Sequence, residues 1–253
     1  AAAIRDFCER IGVSKAHSVI DFALLEACVR DNLNQNAPRV MAVVDPLKLV
    51  IDNYPEDKTE EISVPYHPDH EEYGFRTMTF GKELYIEKSD FMIEPVRKYF
   101  RLFPGNEVRL YKGYFVTCTG YDTDSDGNVT CVHCTYDPET FGGDSTDGRK
   151  VRGTIHWVNA KDNLKAEIRL YDRLFNVENP SNEEEVGNFE ENLNPESLKI
   201  VTAYVEKSLK NAKSGETFQF MRNGYFCVDT DSTDSCKVFN RTVALRDSFN
   251  KKK

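Results

Sequence analysis

No uninterrupted apolar run in this chain approaches the roughly 20 residues needed to cross a bilayer, and its opening, AAAIRDFCERIG, lacks the basic-then-apolar layout of a secretory signal. A cytoplasmic protein with no membrane partner is expected. A disulfide framework is missing as well. The seven cysteines are odd in number and scattered from Cys8 to Cys236 without a repeated spacing, which suits a reducing compartment. There is no GxGxxG after a strand, no Walker loop, no GxSxG and no HExxH. The five histidines lie apart, and His67 and His70 sit beside prolines in VPYHPDHEEYG, a loop-like setting. Chemistry alone therefore finds no catalytic site. Excess positive charge is also lacking, with 33 Lys and Arg against 42 Asp and Glu and a formal charge of -9. General binders of the phosphate backbone are usually basic overall, so that balance argues against one while leaving room for a locally basic face.

What is present is ordinary globular material: 253 residues, 40% hydrophobic and 30% charged, enough for one large domain or two small ones. Before Ala37 the apolar residues Ile4, Phe7, Ile11 and then Ile20, Phe22, Leu24, Leu25, Cys28, Val29 and Leu33 recur at helical spacing. After Pro38 short β-rich runs take over: VMAVVDPLKLVIDNYP, ELYIEK, NEVRLYKGYFVTCTGY, NVTCVHCTY, VRGTIHWV, AEIRLYDRLF, TFQFMRNGYFCVD and KVFNRTVAL. Gly, Asn, Asp and Pro separate them at the close spacing of barrels or sandwiches rather than of βαβ units. NPSNEEEVGNFEE is expected to be an exposed loop or short helix, and FGGDSTDGRK a turn-rich loop.

The stretch Tyr121 to Cys134, YDTDSDGNVTCVHC, carries the opening of a calcium loop and half of a zinc site. A calcium loop needs a bidentate Glu at its twelfth position, where this chain has His133, and flanking helices, where this chain has strand-like runs. A structural zinc normally takes two ligand pairs, and no second CxxC exists, although Cys118 could approach from the preceding run. On a strand, Cys131 and Cys134 point to opposite faces. The favoured reading is a β-hairpin turning at Asp126-Gly127, without metal. DTDSTDS, from Asp229 to Ser235, is read as a second hairpin connection.

Longer runs are more specific. NAPRVMAVVDPLKLVIDNYP, GNEVRLYKGYFV, CTYDPETF followed by DGRKVRGTIHWVNA, EIRLYDRLFNVENP, NPESL, FQFMRNGYFCVD and FNRTVALRD resemble, in order and spacing across essentially the whole chain, the C-terminal part of the glutaminyl-tRNA synthetases. That resemblance implies a mostly β fold of two barrels behind a short α-helical subdomain. Residues 1–36 would end the helical subdomain that follows the catalytic half. Residues 37–96 with 176–248 would form the proximal barrel, and 97–175 the distal one, itself similar to the ribosomal L25 fold. Residues 249–253 would be a disordered tail. The family's HIGH-type and MSK-type motifs are not in this sequence, so the chain is expected to bind glutamine tRNA as a monomer without catalysing, and to need no cofactor, metal or DNA. The full-length enzyme would be a glutamine-tRNA ligase using ATP and magnesium. Alternatives are the corresponding region of an archaeal or eukaryotic-type glutamyl-tRNA synthetase, or a standalone L25-like RNA-binding barrel.

The resemblance also implies site residues. Arg39 and Gln219 correspond to readers of the middle anticodon base, uracil, Arg101 to the reader of the third base and Arg109 to that of the first. Arg222 and Asn34 match neighbouring contacts, and Lys15 a contact to the inside of the tRNA's L. The pattern departs at Phe100 and Tyr111, where the family can carry basic residues, and at Asp69, acidic where a neutral amide is known. Without the resemblance, each arginine would read as an ordinary solvated or ion-paired surface charge.

Overall fold

The computed structural model describes residues 1–15, 19–142, 145–182, 184 and 187–246; the expected tail at 249–253 lies outside them. Two helices lead. Helix α1 (Ala2–Ile11) precedes α2 (Phe22–Asn36), whose first turn is capped by Asp21 accepting the Ala23 N–H at 2.9 Å, as a short acidic side chain does for an orphan helix donor. Sixteen strands follow among the described residues.

One seven-stranded sheet holds β3 (Pro46–Ile51), β6 (Glu83–Glu87), β7 (Glu107–Leu110), β8 (Phe115–Thr123), β9 (Val129–Asp137), β10 (Thr154–Ile155) and β11 (Val158–Asn159), in the order β10-β7-β8-β9-β3-β6-β11. Beside it stands the hairpin β4 (Glu60–Pro65) with β5 (Phe75–Phe80). The other seven-stranded sheet holds β1 (Arg39–Val40), β2 (Ala42–Val43), β12 (Asn163–Tyr171), β13 (Leu198–Glu206), β14 (Thr217–Phe220), β15 (Gly224–Val228) and β16 (Lys237–Ala244), in the order β1-β14-β15-β16-β12-β13-β2. In both sheets the outermost strands are chain neighbours, β1 with β2 around Met41 and β10 with β11 around His156 and Trp157, so each sheet curls on itself. The result is one nearly closed barrel and one half-barrel.

Alternation explains the curl. In β3 every second residue (Leu47, Leu49, Ile51) is buried, and in β14 Phe218 and Phe220 point inward while Gln219 does not. The first sheet closes over Leu49, Phe80, Leu84, Val116 and Trp157, and the second over Val40, Ile168, Val205 and the stacked pair Phe220 and Phe226, with ring centroids 4.3 Å apart. Removing each such side chain from water contributes about 1.5–3 kcal/mol.

Strand pairing groups the chain differently from the 37–96, 97–175 and 176–248 partition expected above. Strand β3 runs antiparallel to β6 and parallel to β9, which joins 46–87 to the segment up to Asn159, while β12 pairs with β13 and β16. The chain crosses between sheets at Val44–Asp45 and at 160–162, and local alternation marks a strand without naming its partner.

One buried ion pair and one half-buried ring stack tie the first sheet and its hairpin to the second sheet. On β5, Arg76 lies with Nε 2.5 Å from Glu206 Oε1 of β13, an ion pair without hydrogen-bond alignment, and its Nη1 donates to the Pro65 carbonyl at 2.7 Å. Glu206 Oε2 accepts the Met41 N–H at 2.8 Å. Tyr85 and Tyr204 stack across the same junction at 4.1 Å.

Candidate nucleic-acid interface

Strands β1 and β14 run parallel with Arg39 opposite Gln219, and β15 places Tyr225 opposite Gln219 on its other side. Register partners share a face, so Arg39, Gln219 and Tyr225 form a row across the outside of the second sheet while Val40, Phe220 and Phe226 fill its inside. Helix α2 covers one end of that row, with Val29 and Leu33 against Ala37, Tyr225 and Val243. There the Tyr225 hydroxyl donates to Asn34 Oδ1 at 3.2 Å, and burial raises its pKa although the nearby Arg39 charge opposes the shift. The backbone of the row is fully engaged: Arg39 N–H donates to the Tyr66 carbonyl and Gln219 N–H to that of Pro38. Its side chains are not. Arg39 Nε and Gln219 Oε1 are both buried and lack a hydrogen-bond partner among the described residues. Orphaned buried polar atoms are few in folded proteins, and here a donor and an acceptor stand on register-paired strands.

The loop after β4 is fastened to the same place. His67 is 3% exposed; its Nδ1 accepts the Asp69 N–H, so Nε2–H donates to the Asn34 carbonyl at 3.2 Å. His70 Nε2 lies 2.8 Å from the Gln35 carbonyl, its Nδ1 2.7 Å from Glu72, and its ring stacks on Tyr73 at 4.8 Å. Both histidines thus serve the last carbonyls of α2, which have no N–H donor within the helix. The bond to Glu72 raises the His70 pKa. Asp69 is exposed at the loop's tip.

Arg101 and Arg222 converge on one carboxylate. Arg222, in the β14–β15 turn at φ 68°, donates to Asp90 from Nη1 at 2.7 Å and from Nη2 at 2.6 Å, while Arg101 Nη1 lies 3.1 Å from Asp90 Oδ1 and also donates to the Ser89 carbonyl. Asp90 is wholly buried, whereas the Arg222 and Arg101 side chains are 28% and 40% exposed. Arg222 Nη1 also faces His156 Nδ1 at 3.3 Å; an arginine can only donate, so His156 Nε2–H is left to donate to the Ala42 carbonyl at 2.9 Å. Beside them Glu87 accepts from Val44 N–H, Asp45 N–H and Asn223 Nδ2. Burial pushes the Glu87 carboxyl up, but bonds from His156, Val44 and Asn223 outweigh it and hold it below the usual range. This third link between the sheets takes most of the Arg222 guanidinium and leaves Arg101 half free at its edge.

Arg109 stands mid-strand in β7, its guanidinium 5.0 Å above the Phe115 ring, with Arg149 5.4 Å from the same ring. Its N–H donates to the Gly153 carbonyl, and Gly153 is where the 100–101 segment meets this sheet: a Cβ there would sit 1.9 Å from the Phe100 carbonyl oxygen. Arg152 lies 5.6 Å from the Phe100 ring, which is 47% exposed. The backbones of Arg109, Arg152 and the 100–101 segment therefore meet around Gly153, while the Arg101 side chain runs to Asp90 beside Arg222. Lys15 is exposed in the connection between α1 and α2.

Sequence reading did not find Asp90, Tyr225 or the Arg152–Phe100 pair. Only the last had a local signal, an exposed aromatic beside basic residues in a polar stretch. Among the described residues one mixed group could hold a metal, Asp122, Cys131 and His133, and it belongs to the β8–β9 hairpin rather than to the arginines. No helix among the described residues is long and apolar enough to cross a membrane.

Two family models match, both described as the anticodon-binding domain of class I (E and Q) tRNA synthetases, one over residues 37–137 and the other over 154–229. The break between them falls before β10 and β11, which still pair within the first sheet. The chain is 54% identical to a glutamine–tRNA ligase of Cupriavidus metallidurans over 98% of its length, 50% identical to one of Citrobacter koseri over 99%, and 53% identical to one of Bradyrhizobium diazoefficiens over 99%. It spans less than half of those relatives, 43%, 45% and 44% of their lengths.

Proposed function

The chain belongs to the anticodon-binding domains of the class I (E and Q) tRNA synthetases, and from that membership we propose that it reads the anticodon of a glutamine tRNA on behalf of a longer glutamine–tRNA ligase. The observation that carries the reading is the Arg39–Gln219 pair, a buried unpartnered donor beside a buried unpartnered acceptor in strand register. Uracil offers carbonyl oxygens and one N–H along its Watson–Crick edge, and an unstacked anticodon base can present that edge to such a pair. Arg39 donates to a carbonyl and Gln219 Oε1 accepts the N–H. Arg101 takes the third base and Arg109 the first, with the exposed Phe100 ring and Arg152 offering a stacking platform in the same cluster. Asn34 sets the Tyr225 end of the row, and Lys15 meets the inside of the L. Arg222 we assign to holding the two sheets together, because Asp90 occupies its fork.

The acidic total does not oppose this. A Debye length of about 8 Å screens distant charge, and overall acidity discourages indiscriminate RNA binding. The longer protein would esterify glutamine to its tRNA with ATP and magnesium as a monomer in the cytosol, and this chain, carrying neither the HIGH-type nor the MSK-type motif, would bind without catalysing. The test is binding of the purified chain to glutamine tRNA and to a variant altered only at the middle anticodon base. Tighter binding to the unaltered RNA is expected; equal affinity for both overturns the reading.

A further inference from the structure

The hairpin read from the sequence as free of metal brings together a donor set that neither the calcium nor the zinc reading contained. Strands β8 and β9 pair Asp122 with Cys131, and His133 follows two residues along β9, on the same face as Cys131. The side-chain ligand atoms of Asp122, Cys131 and His133 all lie within 4.8 Å of one another. His133 Nε2 is 3.0 Å from Asp122 Oδ2, and its other nitrogen, Nδ1, is 3.0 Å from Asp52 Oδ1, just past the end of β3 on the opposite side of β9. Cys134, the other half of the CxxC, is buried in the core opposite Cys118 and takes no part.

We propose that Asp122, Cys131 and His133 form a binding site for zinc, with Asp52 as the residue that orients His133 and water as the fourth ligand. Zinc bonds of about 2.0–2.3 Å at tetrahedral angles set neighbouring ligand atoms roughly 3.3–3.7 Å apart, so Nε2 and Oδ2 would open by a few tenths of an ångström while Sγ, within 4.8 Å of both, completes the set. One thiolate, one imidazole and one carboxylate suit a borderline-soft cation and not calcium or magnesium. The carboxylate on Nδ1 is the arrangement that fixes the tautomer of a metal-bound histidine. An ion-pair ladder of Asp122, His133 and Asp52 alone has no use for a thiol at this distance, and among the described residues Cys131 Sγ makes one hydrogen bond, a long one of 3.8 Å to the adjacent Val132 carbonyl.

Without metal, Asp122 and then Asp52 raise the His133 pKa, while burial and the Asp122 charge raise that of Cys131; Lys48, beside Cys131 on β3 and paired with Glu83 at 2.8 Å, acts the other way on the thiol. Binding therefore releases the thiol proton and, where His133 is charged, the imidazolium proton to solvent, and affinity falls as pH is lowered.

The test is cobalt titration of the metal-stripped chain followed by zinc displacement. One cobalt per chain is expected, with a near-ultraviolet thiolate-to-cobalt band that Cys131→Ser abolishes and zinc removes. Asp52→Asn should weaken zinc binding tenfold or more while keeping the band. Absence of a saturable one-to-one thiolate band in the unaltered chain overturns the proposal. So does a band that survives in Cys131→Ser, which would assign it to the exposed Cys8 or Cys236. Should Cys131→Ser lose its fold, His133→Gln takes its place, and an unchanged affinity there overturns the proposal equally.

Discussion

Asp90→Asn is the sharpest perturbation of the link between the sheets. The carboxylate is wholly buried and receives two bonds from Arg222, at 2.7 and 2.6 Å, and one contact from Arg101 at 3.1 Å. An amide keeps the shape but offers one acceptor and turns an NH2 group toward a guanidinium. Hydrogen bonds to charged groups contribute about 1.5–3 kcal/mol each, and removing one member of a buried ion pair costs about 3–5 kcal/mol. Both arginines retain some contact with water, which lowers the cost of stranding them, so a destabilisation of about 2–4 kcal/mol is expected. Urea unfolding followed by the fluorescence of Trp157 reads it directly: this single tryptophan is wholly buried, adjoins His156 and donates to the Tyr111 carbonyl at 3.0 Å. Arg222→Gln combined with Asp90→Asn should cost about 1–3 kcal/mol less than the sum of the two single changes. A loss below about 0.5 kcal/mol for Asp90→Asn, or strict additivity with Arg222→Gln, refutes the clamp.

Arg39→Ala should weaken binding of glutamine tRNA by about 1–3 kcal/mol and relax discrimination at the middle base, with the urea midpoint unchanged because Arg39 Nε has no hydrogen-bond partner among the described residues; a matching loss of stability would show a structural arginine instead. Gly153→Ala drives a Cβ into the Phe100 carbonyl, backbone that cannot step aside cheaply, and should cost about 3 kcal/mol while weakening RNA binding through displacement of Arg101; an unshifted melting temperature contradicts this. His133 is raised in pKa by Asp122 and Asp52, so in chelator its contribution to stability is full below the unfolded value of about 6.5 and fades as pH rises through the folded value. The gap in melting temperature between the unaltered chain and His133→Gln should therefore be widest below about pH 6 and close on the alkaline side, and a gap that grows with pH would reverse the sign.

Local chemistry made part of the fold legible. The Asp126-Gly127 turn is present, with Gly127 at φ 82° and Asp124 Oδ1 accepting the N–H groups of Asp126 and Asn128, because that dipeptide supplies what a tight reversal demands. The helical spacing around Leu25 and Leu33 became α2, and Asp229 to Ser235 does connect β15 to β16. Strands β4, β5 and β13 carried weaker signals. LKIVTAYVE leaves Leu198 and Ile200 exposed and mixes lysine, alanine and glutamate into a strand nine residues long. The parallel pairings of β3 with β9 and of β12 with β16 were illegible, since nothing in a strand names a partner far along the chain. The Arg39 row was reachable only through family wording. Asp90 was beyond reach, because its meaning comes from three segments that meet only in the folded molecule.

The register of Arg39 with Gln219 also sets a schedule for the protein's manufacture. Strand β1 leaves the ribosome well before β14, and every strand of the first sheet, through Asn159, can follow and close in between. Until Gln219 and its hairpin partner emerge, the nascent chain can have a folded first sheet but no second half to the Arg39 row. On the reading proposed above, a product cut short before β14 would keep Arg101 and Arg109 but lack Gln219, and with it half of the Arg39 row.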